Sequence, residues 1–332
     1  MASDLEGETP PASGPSFAAR WWRLGKFAIS FCLIAYLAVS VEWPRVWAAT
    51  RAASIPWLAL GLFSIPAGIL FISLRYCSLV NERVSLSVML RLVVFQGAVS
   101  TFLANAAGSL SFIGILIKLH KLPAELAIQS TIIARLADML LSLIVASVLA
   151  AMVWHHLESV RPLMRLAVMV SVAILLLGVA TVIIGRRLPV SLLAHADDVG
   201  GDNTSLVHKL LGLCARVIRL DAGYVASILP KTLAYSFVLQ AVVAVSMYCN
   251  AYAFHLNIGF FEAAFVGVVS SFIASIPITV VGGLGVYEVS TVGLLALFGV
   301  PVEAGAGMIL VVRTIFFLVM AITFFVVRQP SR

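Results

Sequence analysis

Two arginines occupy matching places in two long apolar segments. Arg135 ends the sequence PAELAIQSTIIAR and Arg313 ends PVEAGAGMILVVR, so each arginine lies twelve residues beyond a proline. A guanidinium in apolar surroundings needs a carboxylate partner or a bound anion such as phosphate. The two residues are therefore candidates for ion pairs that stabilise the fold or for an anion-binding site.

Two acidic residues are the candidate partners of these arginines. Asp138 lies one helical turn after Arg135 and is well placed to pair with it. Arg313 has Phe316 at the corresponding place, so its countercharge must come from elsewhere, and Glu288 is the best candidate by sequence order. A local partner favours a structural role for Arg135, whereas both roles are open for Arg313.

The composition shows that the elements carrying these residues lie in a membrane. Residues of the set AVILMFWYC make up 61% of the 332 residues, charged residues make up 11%, and the mean hydropathy is +1.07. A soluble domain would carry about 25% charged residues, so a soluble globular protein is excluded. At a rise of about 1.5 Å per residue, each arginine lies about 18 Å along its helix, near the middle of a hydrocarbon core of about 30 Å.

The apolar pattern predicts an all-α polytopic membrane protein with about six spanning helices and two re-entrant helical hairpins. The predicted spans are 25–41, 56–80, 124–154, 163–185, 231–253 and 303–328. Two further apolar stretches are interrupted: 91–117 by Gly114 and by NAAGS, which begins at Asn105, and 262–298 by SIPITVVGGLG. Because broken backbone cannot face lipid, we expect each break to line protein or a wet cavity.

The distribution of basic residues predicts the orientation. If both hairpins return to their side of entry, most bases, including Arg75, lie on the cytoplasmic side, and Arg45, Arg51, Arg161 and Arg165 lie outside. Both termini are then cytoplasmic. Within the polar connection 186–230, SLVHKLLGLCARVIRL has an apolar and a basic helical face, which is typical either of an interfacial helix on anionic lipid or of a linker helix packed on the bundle.

The chain also shows an internal repeat. FQGAVSTFLANA (95–106) aligns with FVGVVSSFIASI (265–276), and the two arginine segments align further on. We interpret 1–19 as a disordered cytoplasmic tail, 20–154 as the first membrane repeat and 155–328 as the second. Three crossings per repeat would place the halves in opposite orientations, as in secondary transporters with inverted repeats, although a decayed duplication kept for packing is the alternative.

A glycine-rich turn lies at the second break. Gly282, Gly283 and Gly285 precede a predicted helix whose first turns contain Glu288. Free amides and the positive end of a helix dipole can bind an anion. Glu288 could act there as a dipole partner, a proton carrier or a ligand of a lipid amine.

Other classes of site find little support in the sequence. His155 and His156 lack the further ligands that a metal site needs, so we predict no metal and no cofactor. The bases do not form a stripe with interleaved aromatics, so nucleic acid is not an expected partner. The chain has no G-x-x-x-x-G-K-[ST] motif and no nucleophile and base set at suitable depth, so an enzyme is the least favoured class.

The segment PITVVGGLGVYEVSTVGLLALFGVP resembles the flippase-like family formed by the membrane domain of lysylphosphatidylglycerol synthases. That family carries P-x-x-x-G-G-L-G-x-R-E, and IIARLADML resembles its R-x-x-D helix, which gives Arg135 and Asp138. The resemblance covers roughly residues 25–328. It departs at Tyr287, where the family has arginine, and in the first hairpin, which lacks the family's Arg, Pro and Glu.

The resemblance implies a lipid translocator of the inner membrane, without the aminoacyl-transferase domain of the synthases. The expected substrate is a phospholipid or a polyprenyl- or glycan-linked lipid, and a homodimer is common among relatives. The expected substrate-binding residues are Arg313, Glu288, Gly282, Gly283, Gly285, Arg135, Asp138 and Asn105. The alternative is a non-transporting accessory subunit of a lipid-modifying or glycosyltransferase system, which would explain the loss of polar residues from the first hairpin.

Overall fold

A computed structural model describes residues 42–103, 105–155, 222–275 and 285–327, together with the single positions 39 and 169. These ranges fold into helices and contain no strand, which confirms the predicted all-α membrane fold. The helices are α1 (Trp43–Arg51), α2 (Ile55–Leu62), α3 (Ser64–Leu79), α4 (Leu86–Phe102), α5 (Asn105–Lys118), α6 (Ala124–Met152), α7 (Ala222–Ala253), α8 (Phe260–Ser275), α9 (Val286–Leu297) and α10 (Val302–Val327).

Four stretches of the described chain are long and apolar enough to cross a membrane. They are Ile55–Leu79, which combines α2 and α3, Ala124–Met152, Ser227–Ala253 and Val302–Val326. These stretches correspond to four of the six predicted spans. The other two predicted spans, 25–41 and 163–185, the tail 1–19 and most of the connection 186–230 lie outside the described residues.

The two interrupted stretches each form a pair of short helices. The first pair is α4 and α5, with 17 and 14 residues, and the second is α8 and α9, with 16 and 12 residues. At about 1.5 Å per residue, none of the four exceeds about 26 Å, which is less than a hydrocarbon core of about 30 Å. The lengths suit hairpins that enter and leave on one side, and re-entry stays a prediction.

The break in the first hairpin differs from the expected one. NAAGS lies inside α5, and the chain turns before Asn105. A Cβ built on Gly108 would lie 1.9 Å from Ser100 Oγ and 2.7 Å from the carbonyl oxygen of Gln96. The small residues therefore let α5 pack closely against α4, a role that helix interfaces in membranes commonly give to glycine.

Two further helix boundaries differ from the prediction. The helix α1 lies in what was expected to be an outer loop, where Val46 is buried while Trp43 and Trp47 are exposed. The helix α7 begins at Ala222 instead of near residue 231 and contains Pro230. A proline inside a helix removes one backbone hydrogen bond, which is tolerated in long membrane helices.

The two halves of the chain repeat one order of helices, and they pack reciprocally. In each half a long stretch is followed by two short helices and another long helix: α2–α3, α4, α5 and α6, then α7, α8, α9 and α10. The helix α4 packs against α10, and α8 packs against α6. The first short helix of each half therefore contacts the last long helix of the other, as a duplicated chain would, while the inverted orientation stays a prediction.

Candidate functional site

A cavity of about 550 Å³ lies between the two halves. Its walls come from α2, α3 and α6 of the first half and from α7, α8, α9 and α10 of the second. Arg135 and Asp138 line it from one half, and Tyr287 and Arg313 line it from the other. The two arginines that the sequence placed at matching depth therefore face the same space.

Arg313 forms the predicted ion pair with Glu288. Arg313 Nε donates to Glu288 Oε1 at 2.7 Å, and both side chains are largely buried, with 15% and 5% exposure. The guanidinium also lies over three aromatic rings, with its carbon 4.8 Å from the Tyr287 centroid and 5.4 and 5.9 Å from Phe317 and Phe316. Aromatic faces stabilise a desolvated cation, so this environment supports the charge of the pair.

Glu288 is held in place from the other side by the start of its own helix. The backbone N–H of Gly285 donates to Glu288 Oε2 at 2.7 Å. Gly285 has a φ of 84°, in the left-handed region that favours glycine, and this conformation turns its amide toward the carboxylate. The Gly285 amide is therefore already bound to Glu288 and is not available to a substrate anion, contrary to the role expected for it.

The partner of Asp138 is Arg75 and not Arg135. Arg75 Nη1 donates to Asp138 Oδ1 and, at 2.8 Å, to Ser236 Oγ, while Ser236 Oγ donates to Asp138 Oδ1 at 2.8 Å. Arg75 is 3% exposed, so it is a buried residue of α3, while its predicted position on the cytoplasmic side stays a prediction. This three-residue cluster links α3, α6 and α7, and it shows that the expected pair of Arg135 with Asp138 is wrong.

Arg135 is left exposed toward the cavity. Its Nη2 donates to Ser109 Oγ at 3.1 Å, and no carboxylate of the described residues lies within salt-bridge distance of it. Because Asp138 is committed to Arg75, the charge of Arg135 is not neutralised by the neighbour that the sequence offered. Arg135 is therefore the cation of the cavity best suited to bind a substrate anion.

Of the remaining predicted site residues, the structure describes Asn105 and does not describe the other two. Asn105 is the first residue of α5, on the same helix as Ser109. Gly282 and Gly283 lie outside the described residues. No group of three or more residues able to hold a metal ion occurs in the described ranges.

Several neutral polar residues on the cavity wall were not singled out from the sequence. These residues are Ser64, Ser142, Gln240, Ser246, Asn250, Ser271 and Ser275. Gln240 Nε2 donates to Ser142 Oγ at 2.5 Å, and Ser246 Oγ donates to the carbonyl oxygen of Gly61 at 2.9 Å. A Gln and an Asn inside the apolar span of α7 were the available signal, because such residues in membrane helices usually face protein or a cavity.

One family model matches the chain. It describes the lysylphosphatidylglycerol synthase TM region and covers residues 23–323. Comparisons with curated proteins and with solved structures found no significant match.

Proposed function

Because the chain belongs to the family of the lysylphosphatidylglycerol synthase membrane region, we propose that it translocates a membrane lipid between the two leaflets. The family match and the long apolar helices establish a multi-pass membrane protein. The lipid would enter the cavity with its head group while its acyl chains stay in the bilayer. We also propose an inner-membrane location, which the family resemblance implies, with both termini in the cytoplasm, which the distribution of basic residues favours.

The observation that carries the proposal is the exposed Arg135 in a cavity shared by both halves. A cation at membrane depth is costly unless it meets an anion or water. Arg135 has a serine partner and no carboxylate among the described residues, so a lipid phosphate would supply the missing negative charge. Arginine binds phosphate through paired N–H donors, which also orients the group.

The Arg313–Glu288 pair would have a different role in transport from that of Arg135. Its charges compensate each other, and the carboxylate also accepts a hydrogen bond from the Gly285 amide, so we assign the pair a structural role beside the cavity. Movement of one half against the other around a central site would then expose Arg135 to each leaflet in turn, as in other transporters built from repeats.

The test is lipid movement in vesicles that contain the purified protein alone. A fluorescent phospholipid is placed in both leaflets, and an impermeant reductant reports how fast the inner pool becomes accessible. We expect Arg135→Gln to lower the rate about tenfold, since it removes a charged hydrogen bond worth roughly 1.5–3 kcal/mol, and Arg135→Lys to fall in between.

Arg91 provides the matched control, because it is an exposed arginine of α4 that does not line the cavity. Arg91→Gln should translocate at the wild-type rate. A wild-type rate of lipid movement in Arg135→Gln would show that Arg135 is not part of the lipid-binding site. If the wild-type protein moved no lipid at all, the result would favour the accessory subunit of a lipid-modifying system.

A further inference from the structure

A groove of about 260 Å³ lies outside the cavity between the halves, where α1 packs on the N-terminal half of α10. We call it the α1 groove, and its wall includes Trp43, Trp47 and Thr50 of α1 and Gly307, Thr314 and Ile315 of α10. Both tryptophans are exposed, so the groove opens at the surface of the described bundle. Because α10 is long and apolar enough to span a membrane, we expect this opening to face lipid.

The α1 groove suits an apolar occupant. Thr50 Oγ1 donates to the carbonyl oxygen of Val46 at 2.9 Å, and Thr314 Oγ1 donates to that of Leu310 at 2.7 Å, so both hydroxyl donors of the wall are already used. Along α10 the wall runs from 307 to 315, about 12 Å at about 1.5 Å per residue. One leaflet contributes about 15 Å to a hydrocarbon core of about 30 Å, so the groove matches the depth of an acyl chain.

Arg51 places a positive charge at the edge of the α1 groove. Its guanidinium carbon lies 5.0 Å from the centroid of the Trp47 ring. The side chain is exposed, and no carboxylate of the described residues lies within salt-bridge distance of it. Arg45 differs, because it pairs with Glu42 at 3.0 Å and approaches Glu303 at 3.8 Å. Arg51 is therefore the base of α1 that is available to a further anion.

The composition of α1 indicates where these two features lie in a membrane. Tryptophan is enriched at the level of the lipid head groups, and a short helix with tryptophans on one face and bases beside them is typical of the membrane interface. An acyl chain beneath Trp47 and a head group beside Arg51 would then be two parts of one lipid. The acids near α1, Glu42 and Glu303, already lie close to Arg45, so an ammonium group would find no free carboxylate in the described part of this surface.

We infer that the α1 groove binds an anionic phospholipid, with one acyl chain between Trp47 and α10 and the phosphate at Arg51. This lipid stays bound and fills the space between the two helices, which holds α1 on the bundle. The site is separate from the cavity between the halves, and it does not depend on the proposed translocation.

The test measures which lipid lies beside Trp47. The full-length protein keeps Trp47, its other five tryptophans are replaced by phenylalanine, and it is reconstituted in phosphatidylcholine vesicles. Phosphatidylglycerol or phosphatidylcholine with brominated acyl chains is added at equal fractions, because bromine quenches tryptophan fluorescence at short range. We expect an apparent association constant at Trp47 about fivefold higher for the anionic lipid than for the zwitterionic one, the effect of one arginine near a membrane surface.

A second reporter measures general contact with lipid. Ile322→Trp, in a chain whose six native tryptophans are replaced by phenylalanine, places the fluorophore on α10 beyond the α1 groove, at a position that is 62% exposed. The two brominated lipids should quench this reporter equally.

Arginine variants separate the proposed contact from the general charge of the protein. Arg51→Gln should lower the preference at Trp47 to about one, and Arg51→Lys should keep most of it, because the positive charge remains. Arg45→Gln is the matched control on the same helix and should keep the fivefold preference, since the charge of Arg45 is already compensated.

A filled groove tests the position of the acyl chain. Thr314 is exposed and lines the α1 groove, so Thr314→Phe should occupy the space and remove the preference at Trp47. Leu318→Phe is the control, because Leu318 is 56% exposed on the same helix and lies outside the groove wall.

Three results would overturn the inference without bearing on translocation. The first is equal quenching of Trp47 by the two brominated lipids, which would mean general lipid contact only. The second is a preference that survives Arg51→Gln. The third is an unquenched Trp47 in vesicles where the Ile322→Trp reporter is quenched, which would mean that protein covers the groove.

Discussion

Arg75 illustrates how a buried charge stabilises this molecule. It lies 3% exposed in α3, and its Nη1 contacts both Asp138 and Ser236, while its Nε has no hydrogen-bond partner among the described residues. The guanidinium of Arg75 therefore links the three helices α3, α6 and α7. Removing it would leave Asp138 in a poorly solvated place with a serine as its remaining partner.

We expect Arg75→Met to lower the free energy of unfolding by about 2–3 kcal/mol. The loss of one partner from a fully buried pair costs about 3–5 kcal/mol, and the 33% exposure of the Asp138 side chain reduces that cost. The measurement is the unfolding midpoint in detergent, with Arg91→Met as the control that leaves it unchanged. Asp138→Asn should cost at least as much, because it leaves the guanidinium of Arg75, which is 3% exposed, without a countercharge.

The sequence predicted one of the two ion pairs and misassigned the other. Glu288 is predictable as the partner of Arg313, because Arg313 has Phe316 and no acid one helical turn further on, and Glu288 is the nearest acid within an apolar segment. Asp138 had a neighbour, Arg135, and the spacing alone suggested a pair. The competing partner comes from α3, far along the chain, and sequence spacing carries no information on such contacts.

At the scale of the helices, glycines determine how closely two elements approach. Gly108 lies where α5 meets α4. A Cβ at this position would come within 3 Å of three atoms, which are the carbonyl oxygen of Gln96 and the Oγ and backbone nitrogen of Ser100. Gly114 lies further along the same helix and has open space around it. The two positions share a helix and differ in their surroundings.

Gly108→Ala should therefore lower the unfolding free energy by about 1–3 kcal/mol, the usual cost of overpacking. Gly114→Ala should be neutral or stabilise by up to about 1 kcal/mol, because alanine favours helix and no neighbour has to move. Both values are read from the unfolding midpoint in detergent. Equal effects at the two positions would contradict the close contact of α4 and α5.

Gly285 is a different case, because its conformation and not its surroundings excludes a side chain. Its φ of 84° costs an alanine about 1–2 kcal/mol. Gly285→Ala should destabilise by that amount and also weaken the contact with Glu288, whereas Gly293→Ala, on the same helix with open space around it, should not destabilise. A stabilised Gly285→Ala in the same unfolding assay would refute this backbone conformation.

The helices themselves were largely predictable, and their exact ends were not. The apolar runs located α2–α3, α6, α7 and α10, since such runs need about 20 residues to cross a bilayer. The helix α1 was missed, because WPRVWAATR is short and carries two arginines and two tryptophans that suggested a loop at the interface. Its helical form is supported by packing on α10 and by Arg45, which pairs with Glu42 at 3.0 Å and approaches Glu303 at 3.8 Å.

At the scale of the whole molecule, the two halves meet through reciprocal contacts. Phe102 of α4 lies against Phe317 of α10, with ring centroids 6.1 Å apart. Tyr248 and Phe260, whose ring centroids are 5.5 Å apart, form a comparable contact within the second half. If transport requires the halves to move against each other, linking them should stop it.

We expect a cleavable bifunctional maleimide to abolish lipid movement when it joins cysteines at Phe102 and Phe317. The measurement uses the vesicle assay in a variant whose four native cysteines are replaced by serine. The same reagent on cysteines at Tyr248 and Phe260 should leave the rate within about a factor of two, because that pair lies in one half. Cleavage of the linker should restore transport, and an unaffected rate in the linked Phe102–Phe317 protein would argue against motion at this interface.

The reciprocal packing of the halves also bears on how the protein is made. The helix α4 is covered by α10, the last of the described helices to leave the ribosome, and α8 is covered by α6. The helix α4 must therefore wait, with one side still uncovered, until α10 has been synthesised. A partly covered intermediate of this kind can meet non-native partners during the delay, so we expect misassembly to be most frequent before α10 has been added.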